Sequence, residues 1–219
     1  MRITVFGAAG NAGSRVVTEA LARGHEVTAV VRDPSRYSEL HPDATPRTGD
    51  AQDPARIADL GTAQDVIVNA TRPAPGHERE HPAITRALLS GLAHAPDAPD
   101  AVRLIVIGGA GSLTVPGTEG RLAIDDPRYV PAAWRHIAEA SNAQYEALRT
   151  ADTKVPWTYI SPSALFEPGT RTGKYRLGKD ELLVDADGNS SISMEDLAVA
   201  LLDEAESPTH HRTRFTVGY

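Results

Sequence analysis

Short apolar runs separated by longer amphipathic stretches are the main pattern along the chain. The runs are rich in β-branched residues and lack polar alternation; they are Ile3 to Phe6, Val27 to Val31, Val66 to Asn69, Leu104 to Ile107 and Trp157 to Ile160. Such runs are typical of strands that are buried on both faces of a parallel sheet. A further strand is expected before Gly49, and a last one over Arg214 to Val217.

The stretches between these runs have the apolar spacing of helices. We assign helices to Ser14 to Arg23, Asp53 to Leu60, Ile84 to Ala95 and Ala132 to Ala151, and a proline-rich loop to His94 to Asp100. Helices that alternate with buried strands predict an α/β fold with a doubly wound parallel sheet. The chain has 219 residues, 41% of them hydrophobic, which is enough for one sizeable core. We therefore expect residues 1–219 to form a single domain.

The regular alternation stops after Pro162. Residues 162–192 are rich in glycine and polar side chains and contain only short apolar pieces. We interpret this segment as a lid or a small C-terminal lobe on the substrate side, rather than as part of the sheet. Ser193 and Asp196 have the spacing of a capping box, which predicts that a helix resumes directly after Ser193.

The charge balance and the composition exclude several classes of partner. The 22 Lys and Arg residues against 29 Asp and Glu give a formal net charge of -7, which opposes unspecific binding to nucleic acid or to an anionic membrane. The absence of cysteine excludes disulfides, thiolate metal ligands and a cysteine nucleophile. No apolar run approaches the roughly 20 residues that span a bilayer, and the N-terminal run is too short for a signal peptide. We therefore expect a cytoplasmic protein.

Three glycines at fixed spacing connect the first strand to the first helix. The segment from Gly7 to Gly13 reads GAAGNAG, a variant of the dinucleotide-binding fingerprint in its strand-to-helix setting. We expect Gly7 to turn the chain off the strand, Gly10 to let main-chain amides approach a diphosphate, and Gly13 to let the helix lie close to the sheet. The predicted phosphate site at the positive end of the helix is completed by Ala9, Asn11 and Ala12.

The end of the second strand indicates which nicotinamide cofactor is bound. NAD-binding proteins usually place a carboxylate there for the ribose 2′-hydroxyl, whereas NADP-binding proteins place a cation near the 2′-phosphate. Arg32 continues this strand, and Asp33 precedes a proline, where it is expected to cap the following turn. Arg15 and Arg36 could add charge at the same corner, so we predict NADPH. The alternative is that Asp33 holds the ribose and Arg32 is a surface cation.

Residues at other strand ends complete the predicted cleft. Asp50, followed by Ala51, could accept a hydrogen bond from the adenine amino group, or it could be a turn residue or a helix N-cap. Ala70 and Thr71 follow the third apolar run and would line the nicotinamide side, because ligands bind beyond the carboxyl ends of the strands. Gly109 follows the fourth run and is assigned to the same cleft.

Short motifs over almost the whole chain have the form found in one known superfamily. They are GAAGNAG, VVRDPSR, the Gly49-Asp50 pair, VIGGAGS from Val106, WTYISP from Trp157, PGTRTGKYRLG from Pro168 and SISMEDLAVALLDE from Ser191. The chain resembles the NAD(P)H-binding branch of the atypical short-chain dehydrogenase/reductase superfamily, which includes NmrA-like proteins, NADH-flavin reductases and biliverdin reductase B. The resemblance implies a Rossmann fold, and its C-terminal motifs point more narrowly to the flavin-reductase-like group.

The resemblance also implies where a proton relay would lie. Many reductases of this superfamily use a tyrosine, a lysine four residues later, and a serine after the fifth strand. Ser112 stands at the place of the serine, where it could bind the nicotinamide or the acceptor, or satisfy backbone groups of its own loop. No matching pair is found: the candidate positions are Tyr145 with Arg149, Pro131 with Arg135, and Tyr129 with Ala133.

One motif suggests a metal. His77-Glu78-Arg79-Glu80-His81 matches the H-E-x-x-H pattern, which binds zinc only when both histidines lie on one face of a continuous helix. Pro75-Gly76 before it and Pro82 after it argue against such a helix, and Pro82 is better placed at the start of the next one. We therefore expect no metal site.

These observations predict an NADPH-dependent oxidoreductase. A ketone or alcohol needs a proton relay for its oxygen, worth about 10²–10⁴ in rate, whereas a flavin or quinone can take hydride from a well-placed nicotinamide. The missing tyrosine and lysine therefore favour a flavin, a quinone or a similar small acceptor. The alternative is an NADP(H)-binding redox sensor, as among NmrA-like proteins, that catalyses nothing. A sugar epimerase or dehydratase is disfavoured, and assembly into a homodimer is left open.

Overall fold

A central sheet forms the middle layer of the protein. The computed structural model describes residues 1–95 and 102–219; the rest of the predicted loop over His94 to Asp100 lies outside the described residues. Within the described residues the strands are β1 (Arg2–Phe6), β2 (Glu26–Val31), β3 (Thr45–Thr48), β4 (Val66–Asn69), β5 (Arg103–Ile107), β6 (Trp157–Pro162), β7 (Leu165–Glu167), β8 (Arg176–Gly178), β9 (Ser191–Ser193) and β10 (Thr213–Gly218).

The strands are connected by helices that pack on both faces of the sheet. The α-helices are α1 (Asn11–Ala22), α2 (Pro54–Gly61), α3 (His81–Ala93), α4 (Arg135–Arg149) and α5 (Met194–Glu206). Short 3-10 helices lie at Pro34–Glu39, Glu78–Glu80, Ala123–Asp125 and Ala132–Trp134. The single helix expected over Ala132 to Ala151 is thus a 3-10 turn followed by α4.

The order of the strands is that of a doubly wound sheet. Within the described residues eight strands pair in the order β3-β2-β1-β4-β5-β6-β10-β8, all parallel except β8, which pairs antiparallel to β10. β1 lies between β2 and β4. After β1 the chain first extends the sheet on one side, through β2 and β3, and then continues it on the other side from β4 onward. Ligands of such sheets bind at this point, beyond the carboxyl ends of the strands. The predicted fold class is confirmed.

Each face of the sheet has its own hydrophobic core, because the buried strands alternate their side chains between the two faces. On one face Ile3 and Val5 pack with Val16 of α1 and Leu197 of α5. The other face is covered by α2, α3 and α4, with buried residues Phe6, Ile57, Leu88, Leu104 and Leu148. This arrangement places the start of every crossover helix at the carboxyl edge of the sheet.

The segment after Pro162 is only partly a separate lobe. β7 and β9 form a small two-stranded parallel sheet, as suits a peripheral lobe. β8, however, adds to the edge of the central sheet through the pairs Thr216–Gly178, Val217–Leu177 and Gly218–Arg176. The expectation that this segment contributes nothing to the sheet is therefore wrong. Its edge strand has three residues, which is too few to show the alternation that identifies strands in a sequence.

Within the described residues, no helix is both long enough and apolar enough to cross a membrane.

The predicted helix start after Ser193 is confirmed, since Ser193 Oγ accepts a hydrogen bond from Asp196 N at 3.0 Å. The reciprocal half of the capping box is absent: the Asp196 carboxylate instead accepts hydrogen bonds from Thr172 and Gly173.

Candidate nucleotide-binding site

The glycine loop makes a tight turn between β1 and α1. Gly7 has φ +81°, in the left-handed region that favours glycine, and its carbonyl accepts a hydrogen bond from Gly10 N at 2.9 Å. A Cβ on Gly13 would lie 2.1 Å from Gly7 O, and a Cβ on Gly7 would lie 2.6 Å from Ala70 O. The start of α1 and the end of β4 therefore approach the loop so closely that only glycine fits at these two positions.

The first turn of α1 presents main-chain donors that have no protein acceptor. The N-cap, Gly10, offers no side chain, and the first turn contains no acidic residue. Ser14 N donates to Gly10 O at 2.9 Å, while the amides of Asn11, Ala12 and Gly13 have no acceptor among the described residues. Three free N–H groups at the positive end of a helix dipole form a site that suits an anion.

The side chain of Asp33, at the end of β2, accepts a hydrogen bond from the turn that follows. Its Oδ1 accepts a hydrogen bond from Ser35 N at 2.9 Å and caps the 3-10 helix Pro34–Glu39, as the sequence predicted. This hydrogen bond lowers the pKa of the Asp33 carboxyl group. The proline after Asp33 gives this helix its fixed first φ angle, which explains why the strand ends here.

Arg36 lies against the glycine loop. Its Nη2 donates to Ala9 O at 3.0 Å and to Glu39 Oε2 at 2.7 Å. Arg32 is exposed at the end of β2, and no described residue forms a hydrogen bond or an ion pair with it. The corner beside the loop therefore contains two guanidinium groups, one of them already paired with a carboxylate.

Arg15 is paired with a residue of α5. Its Nε donates to Glu195 Oε1 at 2.8 Å, and its Nη1 donates to Asn11 O at 3.0 Å. Glu195 belongs to α5, which packs along α1. An acidic residue 180 positions away thus pairs with Arg15, and its contribution of charge beside Arg36 stays a prediction.

Asp50 closes a turn after β3. Its Oδ1 accepts a hydrogen bond from Gln52 N at 2.9 Å. The N-cap of α2 is Asp53, which accepts from Ala55 N and Arg56 N at 3.0 and 3.2 Å. Of the structural alternatives for Asp50, the turn is thus the one observed, and Ala51 after it is buried. The contact of Asp50 with an adenine stays a prediction.

The tip of β4 is fixed beside the glycine loop. The buried Asn69 accepts hydrogen bonds at its Oδ1 from Thr71 N at 3.1 Å and from Thr71 Oγ1 at 2.6 Å. Ala70 N donates to Phe6 O at 3.0 Å. Ala70 and Thr71 are therefore placed next to Gly7, as the prediction of a common cleft requires.

The connection after β5 is held by side chains from the sheet. Gly109 N donates to the Tyr159 hydroxyl at 3.1 Å, and this hydroxyl donates to Ser141 O at 3.0 Å. Burial raises the pKa of Tyr159, so its phenol remains neutral. Ser112 Oγ accepts a hydrogen bond from Arg214 Nη1 at 2.7 Å. Gly109 and Ser112 thus already have protein partners, and their contacts with a cofactor or acceptor stay predictions.

Sequence reasoning did not identify Arg214. This buried side chain on β10 binds Asp180 Oδ1 through Nε at 3.0 Å and Nη2 at 2.5 Å, and its guanidinium carbon lies 4.4 Å from the centroid of the Tyr145 ring. Tyr145 also packs on Tyr159, with ring centroids 4.9 Å apart. Arg149 is bound to Glu146. Nothing local in the last strand could have indicated the partners of Arg214.

The H-E-x-x-H segment is not one helix. Glu78–Glu80 is a 3-10 helix, α3 begins at His81, and Pro82 stands in its first turn, as predicted. His77 is exposed, with its Nδ1 2.9 Å from Glu80 Oε1, whereas His81 is buried. Burial, and then the charge of Arg72, lower the pKa of His81 to about 4, against a weaker opposite effect of Glu78. Among the described residues, no group of three or more metal-binding side chains is brought together.

The comparison with known proteins defines the class of the chain. Residues 7–208 match the family described as NAD(P)H-binding. A Bacillus subtilis (strain 168) protein, the uncharacterized protein YwnB, is 40% identical over 99% of this chain and 98% of its own length. A Streptococcus pneumoniae TIGR4 structure, provisionally named an NADH-flavin reductase, is 30% identical with a TM-score of 0.86 and covers 100% of this chain and 99% of that one.

The provisional names of the similar structures differ. A Bacteroides thetaiotaomicron structure, provisionally named an epimerase, is 35% identical with a TM-score of 0.87, covering 100% of this chain and 96% of that one. The two solved structures share the fold of this chain over almost their whole length. This protein is an α/β protein with a doubly wound, mostly parallel sheet. The chain belongs to the NAD(P)H-binding family.

The geometry of the site fits a dinucleotide. The free amides of Asn11, Ala12 and Gly13 match the acceptor oxygens of a diphosphate, and a glycine stands at each point where a Cβ would fill the cradle.

Proposed function

We propose that the protein is an NADPH-dependent oxidoreductase that transfers hydride to a flavin, a quinone or a similar small acceptor. The observation that carries the proposal is the row of free amides at Asn11, Ala12 and Gly13, in a chain of the NAD(P)H-binding family. These amides would bind the diphosphate, and the tips of β1 and β4 would orient the nicotinamide ring. The bound cofactor supplies the hydride.

The preference for NADPH is supported by the residues at the end of β2. Asp33 Oδ1 is engaged by Ser35 N, so this carboxyl group is less available to a ribose hydroxyl. Arg32 has no described partner, and Arg36 is held against Ala9 of the glycine loop. Arginine donors near the ribose favour a 2′-phosphate, because a guanidinium forms charge-assisted hydrogen bonds with phosphate oxygens.

The choice of acceptor follows from the missing relay. The tyrosine that has the spacing, Tyr145, packs between Tyr159 and Arg214, and Arg149, which stands in place of the lysine, binds Glu146. A flavin or quinone needs this help least. The provisional name of the S. pneumoniae relative is consistent with such an acceptor.

A second candidate function is an NADP(H)-binding sensor without catalysis. The observation that favours it concerns Ser112, whose hydroxyl accepts a hydrogen bond from Arg214 within an ion pair to Asp180. In this arrangement Ser112 ties the β5 connection to the edge of the sheet. A protein that used Ser112 only in this way would keep the cofactor site and lack the chemistry assigned to the serine.

Titration and turnover separate these functions. Purified protein is titrated with NADPH and NADH by calorimetry and then incubated with NADPH and either FMN or menadione, while the nicotinamide absorbance is followed. A reductase binds NADPH more tightly than NADH and consumes it in the presence of an acceptor. Binding without consumption would identify the sensor. The absence of binding to both nucleotides would contradict both candidate functions.

A further inference from the structure

A glutamate and a histidine from different elements meet at the carboxyl edge of the sheet. Glu78 lies in the connection between β4 and α3, and His136 is the second residue of α4. His136 Nε2 is 3.6 Å from Glu78 Oε1. The Glu78 side chain is 11% exposed and that of His136 is 55% exposed. A buried carboxylate thus stands behind an imidazole that is open to solvent.

The surroundings of Glu78 keep it ionised. Its Oε1 accepts a hydrogen bond from Gly76 N at 3.0 Å. Hydrogen bonds from its own amide and from Gly76 lower the pKa of Glu78; burial opposes them, and the charges of His136 and Arg72 assist. A charged carboxylate at this distance offers a counter-charge to a protonated imidazole and limits the orientations of the ring.

Other charged or ionisable groups lie near this pair. His81 of α3 lies close enough to Glu78 and Arg72 to respond to their charges. On α4 itself, Arg135 binds Asp125 Oδ1 at 3.1 Å and Glu139 Oε1 at 3.2 Å. These contacts leave Glu78 as the carboxylate that faces His136 among the described residues.

The pair is continuous with the proposed cofactor cleft. Gly7 packs on Ala70 and Thr71, and Arg72, the next residue along the chain, is close enough to influence the charge of Glu78. α4 starts at the same edge, because it leads from the carboxyl end of β5 to the start of β6. The first turn of α4 therefore lies on the nicotinamide side of the switch point between β1 and β4.

An exposed tryptophan precedes the histidine in the chain. Trp134 is 60% exposed and ends the 3-10 helix Ala132–Trp134, two residues before His136. The other tryptophan of the chain, Trp157, is 3% exposed in the core. An exposed indole offers a planar ring a stacking surface.

We propose that His136 is the acid that protonates a planar aromatic acceptor stacked on Trp134, with Glu78 as the positioning residue for its imidazole. The proposal rests on the reductase function proposed above. Hydride, with its two electrons, passes from the dihydronicotinamide to the acceptor, and the nicotinamide becomes oxidised. The proton leaves His136 Nδ1, the ring nitrogen that does not face Glu78, for the anionic nitrogen or oxygen of the reduced acceptor, and water returns a proton to the imidazole. The products are the oxidised nucleotide and the dihydro acceptor.

The acid role is tested with His136→Gln and menadione as the acceptor. We expect kcat to fall about tenfold at pH 7, less than for a carbonyl acceptor because a quinone depends less on an acid, with the Kd for NADPH unchanged. The pH profile of the wild-type kcat should change in His136→Gln, because the imidazole supplies the proton. Glu78→Gln should lower kcat less and displace the pH profile, as expected of a positioning residue.

His77→Gln is the matched control, since it removes a neighbouring exposed histidine that lies against Glu80 rather than Glu78. It should keep the wild-type kcat and pH profile. If His136→Gln also keeps both, while the wild type turns over, the acid role is refuted and the reductase function stands. If the wild type binds NADPH and reduces no acceptor, the reductase function and the acid role are refuted together.

The stacking surface has a test that does not depend on turnover. Menadione is titrated into the NADP⁺ complex, and its binding is followed by equilibrium dialysis and by quenching of tryptophan emission. Trp134→Leu should weaken menadione binding about tenfold and raise its KM by a similar factor, without changing the Kd for NADP⁺. Unchanged menadione affinity in Trp134→Leu would refute the stacking role of Trp134.

Discussion

Arg32, at the end of β2, has a guanidinium that forms no hydrogen bond or ion pair with a described residue. Arg36, four residues later, divides its donors between Glu39 and the Ala9 carbonyl, and Arg15 is paired with Glu195. A 2′-phosphate beside β2 would therefore gain most from Arg32, which loses no protein partner on binding it. The Asp33 carboxylate accepts a hydrogen bond from Ser35 N and is therefore less available to a ribose hydroxyl.

We predict that Arg32→Ala weakens NADPH about tenfold and NADH less than twofold, because only NADPH has the additional phosphate. Calorimetric titration of both nucleotides measures the ratio. Arg149→Ala, which removes an exposed cation at the far end of α4, should change neither affinity. Equal losses for the two nucleotides in Arg32→Ala would contradict the NADPH assignment.

Local sequence rules succeeded at the residue scale where the partner was near in the chain. The capping role of Asp33 depends on a proline and an amide within two residues, and the sequence predicted it. The partners of Arg15 and Ser112 are Glu195 and Arg214, which lie 180 and 102 residues away. Such pairs depend on how α5 and β10 pack, so no motif around Arg15 or Ser112 could reveal them.

At the scale of elements, the start of α1 combines a structural and a binding role. Gly13 is required by the fold, because its Cβ would meet Gly7 O at 2.1 Å. Gly10 is different, since its Cβ would lie 3.1 Å from the same oxygen, a crowding that a small shift can relieve. Its absence of a side chain therefore matters more for the approach of a diphosphate than for packing.

Gly10→Ala is accordingly expected to fold and to bind both NADPH and NADH at least tenfold more weakly, with a change in Tm of only a few degrees. Thermal unfolding and calorimetric titration are measured on the same preparation. Gly169→Ala introduces a similar crowding, 3.0 Å from Ser193 Cβ, outside the loop. It should keep wild-type affinity, and normal nucleotide binding by Gly10→Ala would contradict the assigned phosphate site.

At the scale of the whole molecule, the buried ionisable groups couple stability to pH. His81 remains neutral in the folded protein, with its pKa lowered to about 4 by burial and by Arg72. Near the amino edge of the sheet, Glu204 is bound by Arg103 and lies 2.7 Å from His210 Nδ1. Burial opposes ionisation of Glu204, but its hydrogen bonds lower its pKa to about 2.

We predict that the free energy of unfolding falls as the pH decreases from about 6.5 to about 4, because the unfolded chain protonates His81 and the folded protein does not. The loss from this group is about 3 kcal/mol. Glu204 adds a second loss below about pH 4.5, where the unfolded chain protonates a carboxylate that the folded protein keeps ionised.

Urea unfolding at pH 7 and pH 5 measures this effect. His81→Leu should lose clearly less stability than the wild type between these pH values, whereas His77→Gln, at an exposed histidine, should behave like the wild type. A wild-type loss that His81→Leu leaves unchanged would assign the acid sensitivity to other groups.

The sequence by itself determined the doubly wound sheet, the glycine loop and the capped turns. Buried parallel strands carry β-branched runs, and glycines and caps act on neighbouring residues, so both leave local patterns. Only the tertiary structure decided that Arg15 binds Glu195, that Arg214 holds Ser112, that β8 joins the sheet and that Glu78 meets His136. Each of these depends on elements that are distant in sequence and adjacent in space, and the pattern of residues around one element does not record which other element packs against it.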